Sequence, residues 1–323
     1  MIIRTAGHPH PGQPPPAATR HLCQPKTVCV PFIGVKAFSY RRVKNDERDC
    51  ADLADLLRLG RLPEAWIAPE PVRALREITR YRHKLAGQRT SCKDQAHAVL
   101  AKSGIPVTRS DIFGRGGGIW LDGLPLPQPY TGKIASLRAL IGVLDGEIAR
   151  LEEQAAGMLA GDGGYAAIRQ LPGIGPVLGA VIAAEIGDIT RFRNPGQLAS
   201  WAGLTPRHYE SDTRVIRGRV SKQGSRMLRW ALVEAIQRAP AGTRPRQVKD
   251  AIIARRGPDV RGIAKTAAAR VMLTQVFYGM RDGHIRRAIT PGSVSCRPGR
   301  ARGREVLCSP PQPEPAGAAG TEM

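Results

Sequence analysis

The chain has 323 residues, 42% of them hydrophobic, which is enough for more than one packed core. Its 49 Lys and Arg against 27 Asp and Glu leave a formal charge of +22, the footprint expected of a nucleic-acid partner, although charge alone does not identify DNA. The six cysteines form no CxxC pair, no run nears the ~20 apolar residues of a membrane span, and the start is Pro-rich rather than signal-like. Zinc, a disulfide framework and a membrane span are therefore not suggested, and a soluble, cytoplasmic, nucleoid-associated protein is expected.

Residues 1–42 are rich in proline and lack apolar periodicity, so they are expected to be largely disordered, with one short strand in Val28–Val35. From Met1 to Asn45 there is no Asp or Glu. Val43–Gly60 reads as a helix with Leu53, Leu56 and Leu57 on its apolar side and Gly60 closing it. Asp46 and Asp49 share a face near its start. On the residues alone, helix capping and dipole compensation explain them best.

Two long helices follow within 71–160. The first, about 71–102, sets Leu75, Ile78, Leu85 and Val99 on one stripe; His83 and His97, about 21 Å apart along it, read as surface or partner-facing and share no metal. The second, about 131–159, carries Ile134, Leu137, Ile141, Leu144, Ile148, Leu151, Ala155 and Met158 at coiled-coil spacing. They pack on each other or offer their seam to a second chain. The GRGGGIW and LPLPQPY segments between them read as loop.

From Leu171 to Trp230 the character changes. In LPGIGPVLGAVIAAEIGD, Gly173 and Gly175 lie just before Pro176, the pattern of helix, tight glycine turn and helix whose free N–H groups can hold a phosphate. In GLTPRHYESDTRVIRGRVSKQGSRMLRW, Arg207, Arg214, Arg217, Arg219, Lys222, Arg226 and Arg229 stand against Glu210 and Asp212 alone. Ser225–Gln237 reads as a helix with Leu228, Ala231, Leu232, Ala235 and Ile236 inward, leaving Arg226 and Arg229 to face nucleic acid. Lys265–Ile285 reads as a closing amphipathic helix. The residues alone make Ser211 a turn serine and His208 a solvated loop histidine.

The ordered blocks LPGIGP, AEIGDITRF, SWAGLTPR, ESD and SKQGSRMLRWAL resemble the C-terminal domain of transposases of the insertion sequence 110 family, from about Val43 to Arg287. The resemblance implies a mainly α chain. Its parts are a remnant of an α/β RuvC-like domain with the acidic DEDD set over 43–70, a long helical, coiled-coil hairpin over 71–160, and an α-helical transposase domain over 165–288 with a helix-hairpin-helix-like motif. By composition, with Pro, Gly and Ala returning, residues 289–323 are expected to be a disordered tail. It implies a DNA transposase-recombinase that cleaves and exchanges strands under a guide RNA, as a dimer or tetramer. By matching family elements, Lys44, Asp46 and Asp49 correspond to the K-x-D-x-x-D element whose carboxylates hold Mg²⁺, and Ser211 corresponds to the nucleophile, with Ser225 the second choice.

Two departures bear on activity. The family has Gly after its serine where Asp212 stands here, and the two earlier acidic residues belong upstream of Asp46, where no carboxylate occurs. A truncated or frame-shifted copy with a weak metal site is therefore expected. Three readings compete: an active recombinase, a remnant that binds DNA or RNA without cutting, and a host protein that has reused the glycine-turn module. Whether this chain is an enzyme is left open.

Overall fold

A computed structural model of the protein describes residues 2–4, 27–29, 46–62, 65–211 and 214–285. The expected disorder before Val43, Lys44, most of the Val28–Val35 strand, Asp212 and the tail 289–323 lie outside the described residues. Strand β1 (Ile2–Arg4) pairs antiparallel with β2 (Thr27–Cys29). Helix α1 (Asp46–Arg58) ends as the glycine signal requires, with the Gly60 N–H donating to the Leu57 carbonyl at 3.1 Å and the Arg61 N–H to that of Leu56 at 2.9 Å.

Helices α2 (Glu70–Lys102) and α4 (Tyr130–Met158) pack on each other within the one chain. Their direction follows from the clusters: Leu100 meets Ile134, Leu85 meets Ile148, and Leu75 meets Ala155, so the pair is antiparallel. Bridges run in the same sense, Arg89 to Asp145 at 2.6 Å and Arg82 to Glu152 at 2.7 Å. The expected apolar stripe of α4 is inside as far as Ala155, but Met158 is 42% exposed, and Leu159 instead joins the cluster of Ala155.

The GRGGGIW segment is not a loop. It forms α3 (Arg115–Asp122), which closes the far end of the helix pair with Ile112, Leu121 and Ile134 in one cluster. At Gly117 the Ile112 backbone occupies the space of a side chain: a Cβ would lie 2.4 Å from it. The glycines here serve close packing, a use that composition cannot tell from flexibility.

The C-terminal domain is built around α6 (Pro176–Ile186), whose residues from Leu178 to Ile186 are all buried. A helix apolar on every side must be surrounded. Around it stand α2, α4, α5 (Gly163–Ile168) and α8 (Arg226–Arg238); α10 (Arg261–Asp282) packs on α5, α7 (Pro195–Trp201) and α8 and carries α9 (Arg244–Arg256). Leu228, Ala231, Leu232, Ala235 and Ile236 of α8 face inward as their spacing predicts, meeting Met272, Leu273, Val276 and Phe277 of α10. Between α7 and α8 the chain forms an antiparallel hairpin, β3 (Pro206–Ser211) and β4 (Arg214–Val220).

Candidate nucleic-acid interface

Helix α6 begins as the motif demands, with Pro176 at its first position and Gly175 as its cap. The two glycines before it have separate uses. Gly173 has φ +97, and a Cβ there would lie 2.3 Å from the Ala235 carbonyl oxygen, so its bare face is taken up by α8. Gly175 has nothing within 4 Å of its Cβ position and is exposed. Of the pair, Gly175 alone presents an open face.

The cation-rich stretch is a hairpin rather than a loop. Ser211, the last residue of β3, pairs with Arg214, the first of β4; His208 pairs with Arg217 and Tyr209 with Ile216, with an irregularity between Pro206 and His208. The sequence hides this because β4 alternates poorly, its valines and isoleucine being interrupted by arginines and Gly218. The hairpin is held at its base. The Ser221 N–H donates to the Thr205 carbonyl at 2.9 Å and the Lys222 N–H to that of Gly203 at 3.2 Å. Gly224 lies so close to α7 that a Cβ would fall 1.9 Å from the Trp201 carbonyl oxygen. The blocks SWAGLTPR and SKQGSRMLRW, apart in sequence, thus interlock.

The arginines divide at this base. Arg207, Arg219, Lys222 and Arg226 are exposed. Arg229, expected to face nucleic acid, turns inward: its guanidinium donates to the Ala202, Gln223 and Gly224 carbonyls at 3.1, 2.7 and 3.2 Å, clasping the base. Burial and the neighbouring Arg226 lower its pKa. Ser225 caps α8, its hydroxyl accepting from the Leu228 N–H at 3.1 Å. That role accounts for it without chemistry.

One charged group went unassigned in the sequence. Glu185, the single carboxylate in α6, is 2% exposed. Arg80 of α2 holds both of its oxygens, Nε to Oε1 at 2.8 Å and Nη2 to Oε2 at 3.0 Å. Burial pushes the Glu185 pKa up, but Arg80, Ser225 and Arg76 outweigh it and the net shift is downward. Arg76 donates to the Ala184 and Glu185 carbonyls at 2.7 and 2.9 Å, ending α6 with a cation where the helix dipole favours one. A lone glutamate in VIAAEIG is itself a signal of a buried partner.

His83 is not a surface residue. Its ring sits 4.3 Å from that of Trp230, half-buried between α2 and α8, and burial, Arg82 and Arg226 lower its pKa. His97 is exposed, with its edge against Phe113 at 5.8 Å.

Asp46 and Asp49 both fall in the first turn of α1. Among the described residues no group of three His, Cys, Asp or Glu could hold a metal ion. No described helix is long and apolar enough to cross a membrane.

The profile described as Transposase IS116/IS110/IS902 family matches residues 165–249, and a second transposase profile, the DEDD transposase of the same insertion sequence 110 group, matches residues 10–104. The chain belongs to this family of insertion-element transposases. The second match starts upstream of Val43 and takes in α1 and α2; a profile sums weak similarity over many positions that no single motif displays.

Among the relatives, a probable family 20 transposase of Pseudomonas aeruginosa is 29% identical over 201 residues, 59% of each chain. The transposase for insertion sequence element IS1328 of Yersinia enterocolitica is 25% identical over 195 residues, 59% of this chain and 58% of that one. An insertion element IS116 protein of Streptomyces clavuligerus is 34% identical over 128 residues, 38% of this chain and 30% of its own. The chain spans about half to three-fifths of the length of the first curated relatives it matches.

Proposed function

We propose that the protein is the DNA transposase-recombinase of an insertion element, acting on DNA through the β3–β4 hairpin, with Ser211 as its nucleophile. The observation that carries this reading is the pairing of Ser211 with Arg214 on a hairpin whose base is rigidly held and whose flank exposes Arg207, Arg219, Lys222 and Arg226. Guanidiniums beside the serine would bind the two non-bridging phosphate oxygens and offset charge as phosphorus is attacked. The Ser211 oxygen forms a bond to phosphorus, the bond from phosphorus to one sugar oxygen breaks, and the serine proton ends on that leaving oxygen. One phosphodiester replaces another, so the strand can be rejoined from the serine adduct without an energy source. Asp46 and Asp49 would hold Mg²⁺, which supplies Lewis-acid activation at the family's acidic site. A guide RNA, and a dimer or tetramer that brings the two parts together between subunits, complete this reading.

A second reading is favoured by one observation: the matched stretch before Asp46, residues 10–45, contains no Asp or Glu, although the profile is named for four carboxylates. On it the chain binds DNA or RNA through Gly175 and the hairpin cations and does not cut. The deciding experiment incubates the protein with duplex DNA carrying its element ends, denatures it, and seeks a serine-linked DNA adduct by mass spectrometry. The recombinase reading expects an adduct at Ser211 that is lost in Ser211→Ala. Tight binding with no adduct in either protein leaves the binder.

A further inference from the structure

Between α1 and α2 runs a short connection that carries an indole, and the C-terminal domain carries a place shaped for it. Residues 184–186, the last carbonyls of α6, orient two guanidiniums: Arg76 donates to Ala184 and Glu185, and Arg191 donates through Nη2 to Ile186 at 2.9 Å. Arg76 is held through its N–H edge, Arg191 through Nη2 with its Nε buried and without a hydrogen-bond partner, and both cations offer their faces. Trp66 lies over both, its ring centre 4.2 Å from the Arg191 guanidinium carbon and 5.4 Å from that of Arg76. Phe192 and Trp201 close the other sides of Arg191 at 4.4 and 4.5 Å. The floor is Gly187: a Cβ there would lie 2.7 Å from the Trp66 ring, so any side chain would displace the indole.

We propose that this cage is a docking site for the chain's own Trp66, and that the indole is a latch which holds the end of the α1 segment against the C-terminal domain. Three features fit a latch rather than a core contact. Trp66 is 36% exposed and the next residue, Ile67, is 60% exposed, while Ala68 beyond them is buried. The contact is cation–π, which is strong when partly desolvated yet is not a packed interior. The cage stands on α6 and the turn after it, whose hydrogen bonds to Arg76 and Arg191 do not need Trp66. The consequence is a tether. Arg58, the end of α1, lies eight residues before Trp66. While the latch is closed, the Arg58 end of α1 stays within about 28 Å of the cage, at about 3.5 Å per extended residue, and Asp46, twelve residues further along the helix, within about 46 Å, at about 1.5 Å per helical residue. When it opens, α1 is limited only by the start of α2.

The test is made on the full chain with 5-fluorotryptophan at its tryptophans, the Trp66 fluorine line being assigned by its loss in Trp66→Phe. Arg191→Met is expected to move that line toward its position in urea while the Trp120 line stays. Trypsin is expected to cut the Arg61–Leu62 bond about tenfold faster in Trp66→Ala, and by a smaller factor in Trp66→Phe, since the open population sets the rate. Helical circular dichroism confirms that the variants fold, and Trp66→Phe decides the matter if Trp66→Ala does not. A Trp66 line indifferent to Arg191→Met, or an unchanged cutting rate, overturns the latch. Protection that disappears on dilution overturns it as well, because the indole in the cage would then belong to a second copy.

Discussion

Two groups of arginines, one where α2 meets α6 and one on the β3–β4 hairpin, share one residue type and have opposite uses. At the seam of α2 and α6, Arg76, Arg80 and Arg191 spend their donors on carbonyls and on the Glu185 carboxylate. On the flank of the hairpin, Arg207, Arg219 and Arg226 are exposed. Burial, with Arg76 nearby and partly offset by Asp188, brings the Arg191 pKa down to about 10, so it is still a cation at neutral pH, with three rings around its guanidinium. The lesson is that charge density identifies a polyanion-binding segment only after the cations used for folding are subtracted. Arg229, in the middle of the basic motif, belongs with the first group.

The largest expected effect that breaks or sharpens this division lies at the glycine turn. Gly173→Ala forces a Cβ against the Ala235 carbonyl at a positive φ and is expected to cost about 2–3 kcal/mol, seen as a lower thermal midpoint. Gly175→Ala, with open space around it, is expected to cost about 1 kcal/mol or less through weaker capping, and any loss of DNA affinity should follow Gly175 alone. Equal destabilisation by the two would erase the distinction between the folding glycine and the open one.

The next effect separates two arginines three residues apart. With Arg229 counted out, six cations of the motif remain for phosphate, and log affinity for duplex DNA is expected to fall with log salt at a slope of about −5. Arg226→Gln should make that slope shallower by about 1 and leave the thermal midpoint in place. Arg229→Gln should do the reverse, lowering the midpoint by loosening the hairpin base. A titration in which Arg229→Gln changed the slope and not the stability would return it to the interface.

The smallest effect is a pH dependence at the seam. His83 has its pKa lowered in the folded chain, so the unfolded chain takes up its proton first and stability falls as pH drops below about 6.5, the ordinary histidine value. His83→Phe keeps a ring against Trp230 and should flatten that decline in denaturant melts between about pH 6.5 and 5. Glu185, whose pKa is lowered, adds a loss at more acidic pH, below the ordinary carboxylate value. A slope that survives His83→Phe assigns the pH dependence elsewhere.

What the sequence determined by itself is what local rules and periodicity encode. The facing stripes of α2 and α4, the proline and glycine that start α6, the inward residues of α8 and the glycine that ends α1 were all legible, because each depends on neighbours within a turn or two. The ordered motif blocks were enough to indicate the transposase family as well. Tertiary structure decided what each polar or small residue is for. Whether a glycine leaves space for a phosphate or for Ala235, whether an arginine meets solvent or Gln223, whether GRGGGIW bends freely or packs on Ile112, and which partner neutralises Glu185 all depend on groups up to 109 positions away. The physical reason is that hydrogen-bond and charge satisfaction is set by whatever the fold brings within about 3 Å, and sequence distance does not constrain that.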